Sequence, residues 1–123
     1  MALILAVDDS KVIIKQYERF AKEFFPDYRF ISANDGTEAV ELLKEIKEEI
    51  TFAIIDYNMK EMNGVELIEN IKHIVDPARI VICSANLQQS LQVKVEELGI
   101  GFVPKPVSSD KFKQIIEIID SKK

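Results

Sequence analysis

The chain has 123 residues, 47% of them hydrophobic, and its 21 acidic against 16 basic side chains give a formal net charge of −5. This length predicts one domain, which we place over residues 1–123. The basic residues are scattered among acidic ones, which argues against direct nucleic-acid binding. The N-terminus lacks a signal-peptide pattern and no apolar run reaches membrane-spanning length, so we expect a cytoplasmic protein without membrane insertion.

Apolar runs typical of buried strands alternate along the chain with segments that carry apolar residues at helical spacing. The runs predict strands over residues 3–7, 28–33, 52–56, 79–84 and 100–103. The helical stripes are Ile13, Tyr17, Phe20 and Phe24; Ala39, Leu42, Leu43, Ile46 and Ile50; Ile68, Ile71 and Val75 or Leu67, Ile71 and Ile74; Leu87, Leu91, Val95 and Leu98; and Phe112, Ile115, Ile116 and Ile119. This alternation predicts an α/β fold in which five helices cover both faces of a five-stranded parallel sheet.

Capping residues support several helix boundaries. Ser10 or Asp9 can cap the first helix, and Asp35 with Glu38 resembles a capping box before the second helix. Gly99 is expected to end the fourth helix. Ser108 or Ser109 is expected to cap the fifth.

Polar side chains interrupt the apolar pattern where four of the predicted strands end. Because the carboxyl ends of parallel strands lie at one edge of a sheet, we expect these side chains to converge there. Each of them alone has an ordinary structural explanation as a cap or a turn residue. Their convergence favours a functional site, formed by Asp8, Asp9, Asp56, Ser84 and Lys105.

Three carboxylates brought together need positive charge among them. Each pair repels by roughly 4 kcal/mol at about 4 Å and an effective dielectric constant of about 20. Lys105 supplies only a single point charge, whereas a divalent metal ion can coordinate several oxygens at once. Ligands that are all oxygen suit Mg²⁺ rather than zinc. The lone Cys83 is expected to be a small buried hydrophobe, and His73 is expected on the polar side of the third helix.

Mg²⁺, an ammonium and a hydroxyl around one carboxylate are the groups needed for phosphoryl transfer onto that carboxylate. Asp56 can attack phosphorus as the nucleophile, while the metal ion and Lys105 neutralise charge on the phosphoryl oxygens. Ser84 can then donate a hydrogen bond to the transferred group.

These residues resemble the receiver domain of two-component response regulators, and especially the single-domain chemotaxis type. The resemblance covers essentially the whole chain and implies the doubly wound, flavodoxin-like strand order 2-1-3-4-5. By this resemblance, Asp8 and Asp9 match the acidic pair that binds the metal ion, Asp9 directly and Asp8 mainly through water. Asp56 matches the phosphorylated aspartate, and Asn58 matches the position whose backbone carbonyl completes the metal shell.

The resemblance also extends to the switch. Ser84 with Ala85 matches the Thr/Ser-Ala pair, Phe102 matches the switch aromatic, and Lys105 with Pro106 matches a Lys-Pro step that is usually cis. A cis bond there would fix a tight turn that aims the lysine into the site.

The sequence departs from the family pattern in the loop after Asp56, where Lys60 replaces the usual Pro and Asn63 the usual Asp. These replacements bear on the rigidity of the loop. Asn58 and Asn86 occupy the positions that, in the family, tune how fast the acyl phosphate hydrolyses.

The resemblance implies a stand-alone phosphoacceptor that receives phosphate from the phosphohistidine of a histidine kinase and signals to a protein target, rather than an enzyme. The target would dock on the face formed by the fourth helix, fifth strand and fifth helix. The implied state is a monomer or a phosphorylation-dependent dimer. The fourth helix carries uncharged or basic residues on its outer side, namely Gln88, Gln89, Gln92 and Lys94.

Two alternatives share this set of residues. A phosphorelay intermediate would hand its phosphate to another histidine and would need no output conformation. A small phosphohydrolase of the haloacid dehalogenase kind also uses an Asp nucleophile with Ser/Thr, Lys and Mg²⁺. That class has a second Asp two residues after the nucleophile, where this chain has Asn58.

Overall fold

The protein is described here by a computed structural model that covers residues 3–85 and 88–121. These residues form five strands, β1 (Leu3–Val7), β2 (Arg29–Ala33), β3 (Ile50–Asp56), β4 (Ile80–Ser84) and β5 (Gly101–Pro104). They also form five α-helices, α1 (Lys11–Phe24), α2 (Gly36–Glu45), α3 (Gly64–Ile71), α4 (Gln89–Leu98) and α5 (Ser109–Ser121). All strand pairs are parallel, in the order β2-β1-β3-β4-β5. The predicted doubly wound fold and its strand order are confirmed.

Alternate residues of the central strands face two different helix layers. Leu5, Ile55 and Ile82 pack in a core with α2, α3 and α4. On the opposite face, Ala6, Ile54 and Cys83 pack in a second core with α1 and α5. Because side chains alternate along a strand, the residue two positions beyond Ala6 or Ile54 faces the α1/α5 side at the carboxyl edge of the sheet. Those residues are Asp8 and Asp56.

One predicted boundary is wrong at the end of the second helix. Ile46 and Ile50 continue its helical spacing, but α2 ends at Glu45 and Ile46 already has an extended backbone. Ile50 begins β3, where it pairs with Leu3 of β1. The pairing contains a bulge at Thr51, whose hydroxyl accepts a hydrogen bond from the Leu3 N–H at 3.1 Å. Strand pairing therefore overrides a spacing that fits a helix equally well.

Other boundaries differ by a few residues. α3 ends at Ile71, so Ile74 and Val75 of its two predicted stripes lie beyond the helix. A 3-10 turn over Pro77–Arg79 delays the start of β4 to Ile80. His73 is exposed. Leu87, predicted in the stripe of the fourth helix, lies outside the described residues. Among the described helices, none combines the length and the apolar character that a membrane crossing requires.

The helix caps decide between the predicted alternatives. Ser10 caps α1, with its hydroxyl accepting from the Ile13 N–H at 3.3 Å. Ser108 caps α5 by accepting from the N–H of Lys111 at 3.3 Å. Gly99 ends α4 in the left-handed conformation, at φ 72°, which glycine adopts without steric penalty.

Candidate functional site

Three carboxylates meet at the carboxyl edge of the sheet. Asp8 directly follows β1, Asp9 is next to it, and Asp56 is the last residue of β3. Each offers an oxygen that lies within 4.8 Å of the other two. Asp8 and Asp56 are buried, whereas Asp9 is exposed. Two of the three carboxylates are therefore shielded from solvent, and the cluster is open to solvent at Asp9.

Lys105 reaches this cluster from the end of β5. Its Nζ donates to Asp8 Oδ2 at 2.9 Å and lies 3.0 Å from Asp56 Oδ1. The Lys105–Pro106 peptide bond is cis, and the Lys105 N–H donates to the Ser84 carbonyl at 3.0 Å. These contacts hold the ammonium between the two buried carboxylates.

The surroundings of Asp56 disfavour its charged form. Burial and the neighbouring Asp8 carboxylate raise the pKa of Asp56, while Lys105 and the Asn58 backbone N–H act in the opposite direction. Burial alone would lower the pKa of Lys105, but its contacts with Asp8 and Asp56 outweigh burial and raise it. The ammonium is therefore charged near neutral pH, and three carboxylates face one cation.

The donor set fits a hard divalent cation. Oxygen ligands from two or three carboxylates beside open, solvated positions are typical of Mg²⁺ sites. Asp8, Asp9 and Asp56 could each supply one oxygen. Asn58 is exposed, and its N–H is directed to Asp56. The role of the Asn58 carbonyl as a further ligand stays a prediction.

Ser84 and Phe102 lie on neighbouring strands, β4 and β5. Ser84 is fully buried at the end of β4. Phe102 of β5 is in register with Ile82, two residues before Ser84 on the same face of β4. Phe102 is partly buried against the core that α2, α3 and α4 cover. The predicted switch residues thus share one face of adjacent strands.

The loop between β3 and α3 is fixed at both ends. The Gly64 N–H donates to the Tyr57 carbonyl at 2.9 Å, and a Cβ added at Gly64 would lie only 2.6 Å from the Asp56 carbonyl oxygen. Asn63 caps α3 and forms a complete capping box with Glu66, so the helix start survives the replacement of Asp by Asn. Only glycine fits at position 64, because any Cβ would displace the backbone of the phosphoacceptor candidate.

The middle of this loop contains a strained residue. Glu61 has a positive φ of 66°, and the N–H of Met62 donates to the carbonyl of Lys60 at 2.7 Å across it. Lys60, which replaces the usual Pro, is exposed. The loop therefore turns tightly without proline. Glu61 adopts an unfavourable left-handed backbone conformation in this turn.

Two residues beneath the site were not singled out by the sequence. Tyr17 was predicted only as part of a helical stripe and Cys83 only as a buried hydrophobe. In the structure, Cys83 is in register with Asp56 on the adjacent strand, and Tyr17 packs in the same core as Cys83. The available signal was the position of Cys83, directly before Ser84 at a strand end. Asn86, assigned to the hydrolysis rate, lies outside the described residues.

Comparison with known proteins agrees with this geometry. The family profile described as the response regulator receiver domain matches residues 4–117. The chain is 29% identical over 119 residues to a chemotaxis protein CheY of Listeria monocytogenes, covering 95% of this chain and 97% of that protein. It is 40% identical over 75 residues to a Thermotoga maritima chemotaxis protein CheY, covering 60% of this chain and 61% of that protein.

Solved structures share the fold. Vibrio cholerae CheY4 superimposes with a TM-score of 0.84 at 22% identity, covering 97% of this chain and 98% of that one. The CheX-CheY-BeF3-Mg+2 complex from Borrelia burgdorferi matches with a TM-score of 0.84 at 28% identity, covering 96% of this chain and 88% of that one. These comparisons give no support to the phosphohydrolase alternative.

Proposed function

The chain belongs to the response regulator receiver domain family, in its CheY-like form, and from this premise we propose that it is a stand-alone, Mg²⁺-dependent phosphoacceptor. In this proposal a single receiver domain takes a phosphoryl group onto Asp56 from the phosphohistidine of a histidine kinase in the cytoplasm. Its phosphorylated form then acts on a protein target.

One observation carries the proposal. The Lys105 ammonium lies 2.9 Å from an oxygen of Asp8 and 3.0 Å from an oxygen of Asp56, and the Asp9 carboxylate belongs to the same cluster. A partly buried ammonium held between carboxylates is placed to neutralise charge on a group that joins one of them. Asp56 is the member of the cluster at the end of the central strand, where ligands of this fold bind.

The chemistry requires positioning rather than acid–base catalysis. An Asp56 carboxylate oxygen attacks phosphorus and forms a P–O bond as the P–N bond to the donor histidine breaks. The electron pair of that bond stays on the histidine nitrogen, which takes up a proton. Lys105 stabilises the negative charge that the phosphoryl oxygens carry. Mg²⁺, which Asp8, Asp9, Asp56 and the Asn58 carbonyl would hold, supplies further positive charge when bound.

We further propose that Ser84 couples the phosphoryl group to the output surface. Its hydroxyl would donate to a phosphoryl oxygen on Asp56. Movement of Ser84 would free space on the face of β4 that it shares with Phe102, and the ring of Phe102 would turn inward. The altered surface is the face formed by α4, β5 and α5, where a downstream protein would bind. The oligomeric state that we propose is a monomer, or a dimer that forms on phosphorylation.

The Borrelia burgdorferi relative supports the metal ion and the partner class. Its structure is that of a complex of CheY with CheX, BeF3 and Mg²⁺. By analogy, a phosphoryl-sized group and Mg²⁺ would bind at the cluster of this chain, and another protein would recognise that state. We propose a protein rather than a nucleic acid as the target, because the acidic net charge of −5 disfavours binding to nucleic acid.

Intact mass spectrometry tests the proposal. The protein is incubated with Mg²⁺ and acetyl phosphate, and we expect a gain of one phosphoryl group that requires Mg²⁺. Asp56→Ala should abolish the gain, whereas Asp27→Ala, at an exposed residue far from the cluster, should retain it. A folded wild-type protein that gains no phosphoryl group, or an Asp56→Ala variant that gains it normally, would refute the proposal.

A further inference from the structure

The Tyr17 side chain places a hydroxyl in the core without an oxygen or nitrogen partner. Tyr17 lies on α1 and is 1% exposed, and within the described residues its hydroxyl makes no hydrogen bond to an oxygen or nitrogen atom. Buried hydroxyls are nearly always hydrogen-bonded, and an unpaired one destabilises the folded state. Phenylalanine would fill the same space without this penalty. The hydroxyl therefore requires an explanation other than packing.

The position of the hydroxyl connects it to the phosphoacceptor. Tyr17 packs in the core between the sheet and the helices α1 and α5, together with Cys83. Cys83 is fully buried and in register with Asp56 on the neighbouring strand, so both side chains point to this same face. Asp8 and Asp56 extend the same face at the end of the sheet. Tyr17 and Cys83 are thus polar groups on the same side of the sheet as Asp8 and Asp56.

The electrostatic interactions agree with this placement. Burial, then the charge of and a hydrogen bond to the Cys83 sulfur, and then the carboxylates of Asp8 and Asp56 all raise the pKa of Tyr17. Burial raises the pKa of Cys83 to about 12, with Tyr17 and Lys105 acting against the rise. Both groups therefore stay protonated, and each keeps a hydrogen that it can donate. In the field of the carboxylates, an O–H dipole is most stable with its hydrogen directed towards them.

We propose that Tyr17 is a positioning residue of the phosphoacceptor site, whose hydroxyl, acting through the Cys83 thiol, stabilises the additional negative charge on phosphorylated Asp56. In the unphosphorylated protein the Lys105 ammonium contacts both buried carboxylates, and the hydroxyl has the weakly accepting Cys83 sulfur nearby but no oxygen or nitrogen acceptor among the described residues. Phosphorylation replaces the single charge of the Asp56 carboxylate by the nearly two charges of a phosphoryl group, a net addition of about one negative charge. The Lys105 ammonium then interacts with the phosphoryl oxygens as well as with the carboxylates. A further hydrogen-bond donor on the same side of the sheet would therefore stabilise the added charge.

This inference rests on the proposed function. It predicts that one substitution, Tyr17→Phe, maintains or raises the unfolding temperature but lowers phosphoryl uptake. Tyr17→Phe removes a buried hydroxyl that has no oxygen or nitrogen partner, so the unphosphorylated protein should unfold at the same temperature as the wild type or a higher one. The same substitution should lower the rate of phosphoryl uptake from acetyl phosphate and the phosphorylated fraction at steady state. A hydrogen bond of ordinary net strength corresponds to a change of about 2- to 10-fold, which is the loss that we expect.

Tyr28→Phe is the matched control. Tyr28 precedes β2 at the opposite edge of the sheet, where its ring stacks on Phe25 with centroids 4.5 Å apart. The substitution removes the same atom without approaching the cluster, so it should leave phosphoryl uptake unchanged. Combining Tyr17→Phe with Cys83→Ala should lower uptake no further than the more severe single variant, because the two residues act in series.

The outcomes separate this inference from the proposed function. Reduced uptake by Tyr17→Phe, with Mg²⁺ affinity and unfolding temperature at least equal to the wild type, supports it. Wild-type uptake by Tyr17→Phe overturns the inference and leaves the proposed function standing. Loss of uptake together with lowered Mg²⁺ affinity and unfolding temperature also overturns it, because the hydroxyl would then have a structural role. A wild-type protein without any uptake overturns both.

Discussion

Removing the Lys105 ammonium should reveal how strongly this cation stabilises the cluster of three carboxylates. At an effective dielectric constant of about 20, an ammonium and a carboxylate about 3 Å apart attract by roughly 5–6 kcal/mol. Lys105 makes two such contacts, at 2.9 Å and 3.0 Å. The desolvation of buried charges offsets much of this attraction, and breaking a buried pair typically destabilises by about 3–5 kcal/mol. We therefore expect Lys105→Met to lose about 3 kcal/mol of unfolding free energy near neutral pH without Mg²⁺.

The loss should depend on pH in a direction that the structure defines. Because the pKa of Asp56 is raised on folding, its contribution to stability is full below its unfolded pKa and is lost as pH rises through the folded pKa. Lys105 is one of the groups that limit this rise, so Lys105→Met should raise the pKa of Asp56 further. The variant should therefore be closer to the wild type in mildly acidic buffer than at neutral pH. Added Mg²⁺ should recover part of the loss.

Urea unfolding in mildly acidic and neutral buffers, with and without Mg²⁺, measures these differences. Lys111→Met is the control, because the Lys111 ammonium donates to the neutral carbonyl of Pro104 at 3.0 Å rather than to a carboxylate. Its loss should be about 1 kcal/mol and the same in both buffers. A Lys105→Met loss that is equal at both pH values and indifferent to Mg²⁺ would refute the electrostatic reasoning.

Four further predictions concern the residues around the cluster. Glu61→Gly should raise the unfolding free energy by about 0.5–1 kcal/mol in urea titrations, since it removes a strained positive φ; a loss would contradict the strain. Gly64→Ala should lose about 2 kcal/mol and weaken Mg²⁺ binding, because its Cβ would lie 2.6 Å from the Asp56 backbone carbonyl oxygen; unchanged binding measured by calorimetry would contradict this. The buried Cys83 thiol, with its pKa raised to about 12, should resist alkylation in the folded protein and react in urea; equal rates in both states would contradict its burial. Ser84→Ala should still take up phosphate but lose the phosphorylation-dependent NMR shift change at Phe102; a shift change of wild-type size would refute the switch.

Much of the fold follows from the sequence because its buried strands are short apolar runs that end in polar residues. Asp8 and Asp56 end such runs, and parallel topology alone brings them to one edge. Ile50 shows the limit of this reasoning. Its spacing from Ile46 fits a helix, and only its pairing with Leu3 on a strand distant in sequence assigns it to β3.

The convergence of Asp8, Asp9, Asp56 and Lys105 could be predicted from the sequence, but their individual contacts could not. The contacts of Lys105 with two of the three carboxylates depend on distances that no spacing encodes. Likewise, a helical stripe places Tyr17 in a core without showing which strand residue it meets. The strained φ of Glu61 was also not predictable, because glutamate gives no signal for a left-handed conformation.

The most direct test of the central claim identifies which carboxylate receives the phosphoryl group. Borohydride reduces an acyl phosphate to an alcohol, so a phosphorylated aspartate becomes homoserine and is recognised by peptide mass spectrometry. After treatment with Mg²⁺ and acetyl phosphate, we predict homoserine at position 56 and unchanged aspartate at positions 8 and 9. Homoserine at Asp8 or Asp9, or intact aspartate at all three positions, would contradict the claim that Asp56 is the phosphoacceptor.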